Sequence, residues 1–447
     1  MKNKDLSCGN IKKQLLSMTW PMMFGMVGMV IFNLVDTYFI GKLGVKELAA
    51  IGFTFPVIMF VNSVALGIGI GTSSLMSRNI ISQNKSTVKQ MASRSLLLGI
   101  LNVIVVIIIG ELTIEPLFKI IGADDSLIPM IKDYMIIWYT GVIFVVIPMI
   151  GNNIVRATGN TLIPGMLMVL SATINAILDP FLIFGLGPFP EMGIKGAALA
   201  TVIGRSMGLL FILTVLIKKY DLLTIRLGKV REILITWGKV LYIAGPATIT
   251  ILVSPISMGV ITNLLAKYGE YAVAGFGVAV KVETFALMAI NALSSVLVIF
   301  SGQNFSKFRY DRIFKALKYS SLFCFFWGIF IFVLSHIFAD TIAEIFSKDF
   351  QVITVIKNYI KIISLSYVFL GFLSISVSIF NGINKPLPSV LFSSFRMIGA
   401  YIPLAFLGSW LLGLAGIFWA AFVTNISIGI ITIIWLNKTL KIMTKRT

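Results

Sequence analysis

Apolar residues are grouped along the chain in long, nearly unbroken stretches, without the regular polar positions of a soluble helix or strand. Twelve stretches are long enough to cross the hydrocarbon core of a bilayer, which takes about 20 helical residues at 1.5 Å each. Their predicted cores are 15–40, 48–77, 95–114, 134–155, 162–184, 193–217, 239–266, 272–300, 319–339, 355–382, 387–410 and 413–436. Stretches of this length indicate transmembrane helices rather than the short alternating strands of a membrane barrel.

The composition places the protein outside the soluble class. The 447 residues are 57% apolar and 12% charged, with a mean hydropathy of +0.96, so a soluble enzyme is excluded. One His and two Cys are too few for a zinc site of the His/Cys type or a disulfide framework. A net charge of +19 is compatible with binding to nucleic acid or to an anionic membrane surface. The hydropathy decides for the lipid bilayer, with no nucleic-acid partner and no organic cofactor.

The basic residues are unevenly divided between the two sides of the predicted membrane. In a twelve-span arrangement, 25 of the 37 Lys and Arg lie on the side of the N-terminus and nine on the opposite side. The other three, Arg205, Lys281 and Arg396, fall within spans. Because cytoplasmic loops carry the excess of Lys and Arg, both termini are predicted to be cytoplasmic in a multi-pass protein of the cell (inner, plasma) membrane.

The chain also repeats itself at a nearly constant offset. Trp20-Pro21 corresponds to Gly245-Pro246 after 225 residues, and Gln83-Asn84 recurs as Gln303-Asn304 after 220 residues. Each half has six spans, an even number, so both halves enter the membrane from the same side. The predicted parts are a tail over 1–14, an N-lobe over 15–217, a connector over 218–238, a C-lobe over 239–436 and a tail over 437–447.

Two parallel six-helix repeats favour a secondary transporter. Such repeats hold a substrate site near the bilayer midplane, and rocking of the two lobes gives alternating access to it. A channel is less favoured because the sequence contains no filter-like loop or charged ring. The sequence has no phosphate-binding loop of the Gly-Lys type, so an ion gradient is the expected energy source. We expect a monomer.

Three acidic residues lie clearly within the spans, namely Asp36, Asp179 and Glu283. Each costs about 2.5–3.5 kcal/mol on insertion scales, which makes it a candidate functional residue. Asp36 follows Pro21 by 15 residues, and Asp179 follows Pro164 by the same number. Both helices run outward, so the two carboxylates are predicted at a similar depth, roughly 22 Å beyond their prolines. They are therefore candidates for one shared site.

Neighbouring polar residues complete a set of oxygen ligands. Asn175 precedes Asp179 by four residues and therefore shares its helical face. Asn33, three residues before Asp36, is a further candidate, and Thr201 supplies a hydroxyl from the sixth span. Carboxylate, amide and hydroxyl oxygens suit a hard cation or a proton.

Other interpretations of the charged residues stay open. Asp36 and Asp179 could cap a neighbouring helix or pair with Arg205. Glu283 and Lys281 are two residues apart and face different sides of one span, so they fit either substrate contact or a structural ion pair. Further candidates for substrate contact are apolar side chains on spans expected to line the cleft: Met59, Phe60, Met258 and Phe285.

Several of these motifs resemble the multidrug and toxic compound extrusion family. They include the run Asn175-Ala-Ile-Leu-Asp179-Pro, the segment Gly193-x-x-Gly196 with Thr201, and Asn33-Leu-Val-Asp36. The resemblance covers nearly the whole chain. It implies an all-α membrane protein with twelve helices in two lobes around a V-shaped central cleft. It also implies an antiporter that expels amphipathic, often cationic drugs in exchange for H⁺ or Na⁺.

The chain is more similar to the DinF-like branch of that family, which holds its cation site in the N-lobe. By motif, the resemblance assigns cation coupling to Asp36, Asn175, Asp179 and Thr201, and the bend of the first helix to Pro21. The NorM-like branch has a glutamate eight residues after its Gly-Pro, where this chain has Ser254, and an aspartate in the tenth span. The tenth span here contains no acid, so the DinF-like assignment is favoured.

Two rival functions differ in what they require. A lipid-linked oligosaccharide flippase of the same superfamily tends to have a basic cavity, so Arg205, Lys281 and Arg396 would have to converge. A membrane-embedded enzyme needs a nucleophile with a base or a set of metal ligands, and no His lies deep within a span. An enzyme is therefore not expected.

Overall fold

The structure is a computed structural model that describes the backbone of residues 5–43, 45–81 and 83–445. Side chains at 29, 31–38, 40, 41, 45, 48 and 49 lie outside this description. The described chain is helical throughout and contains no strand. Its helices are α1 Ile11–Gly41, α2 Val45–Asn79, α3 Lys85–Ile121, α4 Ile128–Thr140, α5 Ile143–Ala157, α6 Leu162–Phe184, α7 Ile194–Thr214, α8 Val230–Ala266, α9 Glu270–Ala286, α10 Met288–Ser306, α11 Tyr310–Ile337, α12 Ala339–Phe346, α13 Phe350–Ile363, α14 Tyr367–Gly382, α15 Pro386–Ser394, α16 Ile402–Leu412 and α17 Leu414–Lys445. Two π-helical segments, Val215–Lys219 and Phe395–Tyr401, adjoin α7 and α15.

These helices fall on the twelve predicted spans. Ten helical stretches of the described chain are long and apolar enough to cross a membrane, and the bent pair α4–α5 makes an eleventh. Helix α1 corresponds to the first predicted span. The prediction of an all-α, multi-pass membrane protein is therefore confirmed.

Two spans are broken where hydropathy alone predicts continuous helices. The fourth bends by 44° between α4 and α5, at Gly141, a residue with a low helix propensity. The eighth breaks at Leu287, between α9 and α10. There the carbonyl of Ala286 accepts a hydrogen bond from Trp327 Nε1 at 2.8 Å, so a tertiary partner replaces the helical one.

The chain divides into two compact units, each with its own apolar core. The first unit comprises Trp20–Thr248, and the second joins Leu6–Thr19 to the chain from Ile249 onward. Fully buried residues of the first core include Ile131, Ile150 and Ile154. Those of the second core include Ile261, Ile356 and Ile417.

Within the first unit, α1 and α6 approach each other almost backbone to backbone. A β-carbon on Gly25 would lie 2.8 Å from Cα of Gly165, and one on Gly28 would lie 2.9 Å from a methyl group of Val169. A β-carbon on Gly165 would collide with the carbonyl oxygen of Pro21. Small residues at such crossings let membrane helices pack closely. The contact sets Pro21 beside the start of α6.

We expect Gly165→Ala to destabilise the protein because the new β-carbon would meet the backbone carbonyl oxygen of Pro21, which cannot rotate away. The unfolding free energy should fall by about 1–3 kcal/mol, measured as a lower midpoint in thermal unfolding followed by Trp fluorescence in detergent. Gly277→Ala is the matched control, since a β-carbon there meets open space. The control should melt like the parent or slightly higher, and equal midpoints for the two variants would contradict the close approach.

Candidate functional site

A cluster of oxygen-bearing side chains lies in the first unit where α6 packs on α7. Asn175 is 1% exposed and Asp179 is 0% exposed. Asn175 Nδ2 donates to Asp179 Oδ1 at 3.1 Å and lies 3.4 Å from Thr201 Oγ1. Gly204 on α7 allows this approach, since a β-carbon there would lie 3.3 Å from the β-carbon of Asn175. The structure thus brings together three of the residues predicted to couple the cation.

Two further oxygens belong to the same turn of α6. Asn175 Oδ1 is buried and accepts no hydrogen bond from the described residues. Pro180 lies inside α6 and lacks an N–H, so the carbonyl of Ala176 has no donor four residues later. Neutral oxygens within a turn of a buried carboxylate suit a small hard cation, whereas a bound proton would neutralise the carboxylate directly. The geometry fits either ion.

Asn33 and Asp36 fall on α1, but their side chains lie outside the described residues. Helix α1 passes α6 at Gly25 and Gly28 and continues as a helix to Gly41. Pro21 lies inside α1, next to Gly165. The roles of Asn33, Asp36 and Pro21 stay predictions.

The third intramembrane acid belongs to a separate polar cluster in the second unit. Glu283 Oε2 accepts a hydrogen bond from the Tyr359 hydroxyl at 2.8 Å, and Tyr367 lies near this carboxylate. Arg396 Nη1 donates to Asn425 Oδ1 at 3.0 Å. Both tyrosines and Asn425 are buried. The sequence singled out Glu283 but not its tyrosines, because a hydroxyl in an apolar span carries little signal until a distant partner is known.

The remaining predicted residues are distributed over both units. Lys281 is exposed, and among the ion pairs of the described residues there is none between Lys281 and Glu283. Met59 is half-buried and Phe60 exposed in the first unit, whereas Met258 is half-buried and Phe285 exposed in the second. Their contact with substrate stays a prediction.

The comparison with known families matches the duplicated architecture. The MatE family model matches residues 21–181 and again residues 246–407. The two matches begin at Pro21 and Pro246, which are the corresponding prolines of the sequence repeat.

Individual relatives match over nearly their full length. The FAD transporter of Shewanella oneidensis is 37% identical over 420 residues, which are 94% of this chain and 93% of the relative. The multidrug export protein MepA of Staphylococcus saprophyticus is 26% identical over 432 residues, covering 93% and 91%.

A solved structure agrees with the fold over the same extent. The crystal structure of the Vibrio cholerae MATE transporter VcmN in the bent form has a TM-score of 0.90 and 29% identity, and the match covers 97% of this chain and 98% of that one. Family model, relatives and fold agree from one end of the chain to the other. The chain therefore belongs to the MatE family, and the protein is a membrane transporter for small molecules, not an enzyme.

Proposed function

We propose that the protein is a secondary active efflux antiporter that exports amphipathic, often cationic organic compounds in exchange for H⁺ or Na⁺. The observation that carries this proposal is the fully buried carboxylate of Asp179, with Asn175 and Thr201 around it. A carboxylate inside the membrane is stable when it is protonated or paired with a cation, so its occupancy can follow an ion gradient. The similarity to the multidrug export protein MepA supports the substrate class.

In this proposal the binding of an ion causes α1 to bend. Asp36 completes the ion site from α1, and an ion arriving from outside draws that helix toward Asp179. Pro21 removes one hydrogen bond from the helical ladder, which makes it the natural point for α1 to bend. The bend closes the drug site and releases substrate outward, and the ion then leaves to the cytoplasm.

We place the transporter in the plasma membrane as a monomer with both termini in the cytoplasm. The support is the distribution of basic residues, 25 of 37 of which lie on the side of the N-terminus.

We expect Asp179→Asn to abolish gradient-driven efflux of a fluorescent cationic dye from proteoliposomes. The amide keeps the size of the carboxylate but can neither take up a proton nor balance Na⁺, so transport should fall to that of protein-free vesicles. Imposing a pH gradient and then a Na⁺ gradient identifies the coupling ion.

The matched control is Asp133→Asn, which removes an acid from an exposed ion pair with Lys195 at 3.2 Å. Exposed pairs contribute little, so this variant should transport like the parent. Full gradient-driven efflux by Asp179→Asn would refute the proposed coupling site.

A second candidate function is export of a flavin nucleotide. The relative named FAD transporter is 37% identical to this chain, against 26% for MepA. A dinucleotide carries a diphosphate, which planar guanidinium groups bind well. Arg396 lies on a π-helical segment, and its Nε is buried and has no hydrogen-bond partner among the described residues. This side chain therefore has a donor that could bind an anionic substrate.

We expect Arg396→Gln to separate the two functions. Efflux of FAD should fall about tenfold because a charged hydrogen bond is lost, whereas efflux of a cationic dye should persist. Both are followed by fluorescence in the same proteoliposomes, with Lys385→Gln, at an exposed lysine, as the control for loss of one positive charge. FAD efflux that is absent in the parent, or unchanged in Arg396→Gln, would count against the flavin assignment.

A further inference from the structure

Two buried arginines lie in the third span of each half of the chain, close to its start. Arg94 lies on α3, the third span of the first half, and is 6% exposed. Arg312 lies on α11, the third span of the second half, and is 7% exposed. Each one binds the segment that leads into the first helix of the opposite half.

Arg312 holds the N-terminal segment by three hydrogen bonds from two of its nitrogens. Nη1 donates to the carbonyl of Gly9 at 2.9 Å, and Nη2 donates to the carbonyl of Leu6 and to Gln14 Oε1, both at 3.1 Å. Nε donates to Asn304 Oδ1 at 3.1 Å, which orients the guanidinium. Because charged hydrogen bonds are the stronger kind, this is a firm attachment.

The repeated Gln-Asn motif of the second half, Gln303-Asn304, binds the same segment. The backbone N–H of Leu6 donates to Gln303 Oε1 at 2.9 Å, and Asn304 Nδ2 donates to the carbonyl of Leu6 at 3.2 Å. Leu6 itself is fully buried. Residues 6–19 therefore belong to the second unit, although they open the first half.

Arg94 holds the segment before α8 in a corresponding way. Nε donates to the carbonyl of Leu227 at 2.8 Å, and Nη2 forms an ion pair with Glu232 at 2.6 Å. Nη1 donates to Thr236 Oγ1 at 3.2 Å, and Trp237 Nε1 donates to the carbonyl of Arg94 at 2.8 Å. The first turns of α8 are thus bound to α3.

The connector reinforces this attachment upstream. Asp221 forms ion pairs with Lys85 at 2.8 Å and with Lys89 at 2.5 Å, and these contacts hold the pKa of the Asp221 carboxyl at about 2. Thr224 N donates to Ser93 Oγ at 2.9 Å. The chain up to Thr248 therefore belongs to the first unit, although Val230 onward opens the second half.

The opening helices of the two halves are therefore anchored reciprocally. Helix α1 starts in the second unit and continues in the first from Trp20, and α8 starts in the first unit and continues in the second from Ile249. Pro21 and Pro246 lie at these two points. When the start of a helix is anchored, bending at the proline displaces the residues that follow the proline. When the start is free, the residues before the proline move instead, and the residues after it can stay in place.

We propose that Arg94 and Arg312 are positioning residues of the transport cycle, which anchor the starts of α8 and α1 so that bending at Pro246 and Pro21 moves the transport helices. The anchors are far along the chain from the acids of the spans and do not bind the transported compound. The proposal holds for either candidate substrate.

The test compares transport rate with substrate binding in Arg312→Gln and Arg94→Gln. In proteoliposomes the maximal rate of dye efflux, or of FAD efflux if FAD is the substrate, should fall about tenfold in each. The Kd of the purified protein for the same compound should stay within about twofold of the parent. Arg309→Gln is the matched control, since Arg309 forms a half-exposed ion pair with Asp311, and it should retain the parent rate.

A spin label on Cys8 reports the anchor itself. Cys8 is exposed and lies between the bound residues Leu6 and Gly9, whereas Cys324 is buried and stays unlabelled. The spin label should have restricted motion in the parent and be mobile in Arg312→Gln. In Arg312→Lys, the motion of the label should again be partly restricted, and the efflux rate should partly recover. Arg94→Gln should slow transport while leaving the label restricted.

Two results would overturn the proposal. One is a mobile label in Arg312→Gln together with the parent rate of transport, which would make the attachment merely structural. The other is slow transport by Arg312→Gln with a label on Cys8 that stays restricted in that same variant, which would place the defect elsewhere. If Arg312→Gln does not fold, deletion of residues 2–9 removes the bound segment instead, and parent-like transport by that variant would equally overturn the proposal.

Discussion

The cost of holding charge away from water is the constraint on which this structure depends. Between α6 and α7 it is met by the Asn175 amide, which donates to the Asp179 carboxylate and reaches Thr201. In the second unit it is met by the Tyr359 hydroxyl, which donates to Glu283. Toward the starts of α3 and α11 it is met by backbone carbonyls and amides around Arg94 and Arg312. The partners of Glu283 and of Arg312 include residues far away in the chain, whereas Asp179 is bonded by Asn175 of its own helix, with Thr201 of α7 beyond it.

The spans and part of the site could be predicted because their signals are local. Hydropathy predicted the stretches that form the helical spans, and the spacing of four between Asn175 and Asp179 put both side chains on one face of α6. Thr201 could be grouped with them because α6 and α7 are consecutive along the chain. Sequence order and helical periodicity were sufficient for these features.

The remaining features depend on partners that are distant in sequence. At the break between α9 and α10, the carbonyl of Ala286 is bound by Trp327, 41 residues away, and Glu283 meets Tyr359 after 76 residues. Arg94 and Arg312 counted in the sequence only as basic residues that indicate topology. Arg312 lies about 300 residues from Leu6, Gly9 and Gln14. Periodicity and hydropathy carry no information about such pairs.

The two halves have kept their path through the membrane while diverging in chemistry. The first half surrounds a buried aspartate with an amide and a hydroxyl, and the second holds a half-buried glutamate by a tyrosine hydroxyl near Arg396. The attachments diverged as well, since Asn304 orients Arg312 whereas its counterpart Asn84 caps α3 by accepting from Thr87 N at 2.9 Å. What both halves retain is an opening helix with a proline and a bound start. Because the polar chemistry around the acids differs between the halves and this arrangement does not, the proposed transport cycle assigns the shared arrangement to the movement of the helices and the acids to ion or substrate binding.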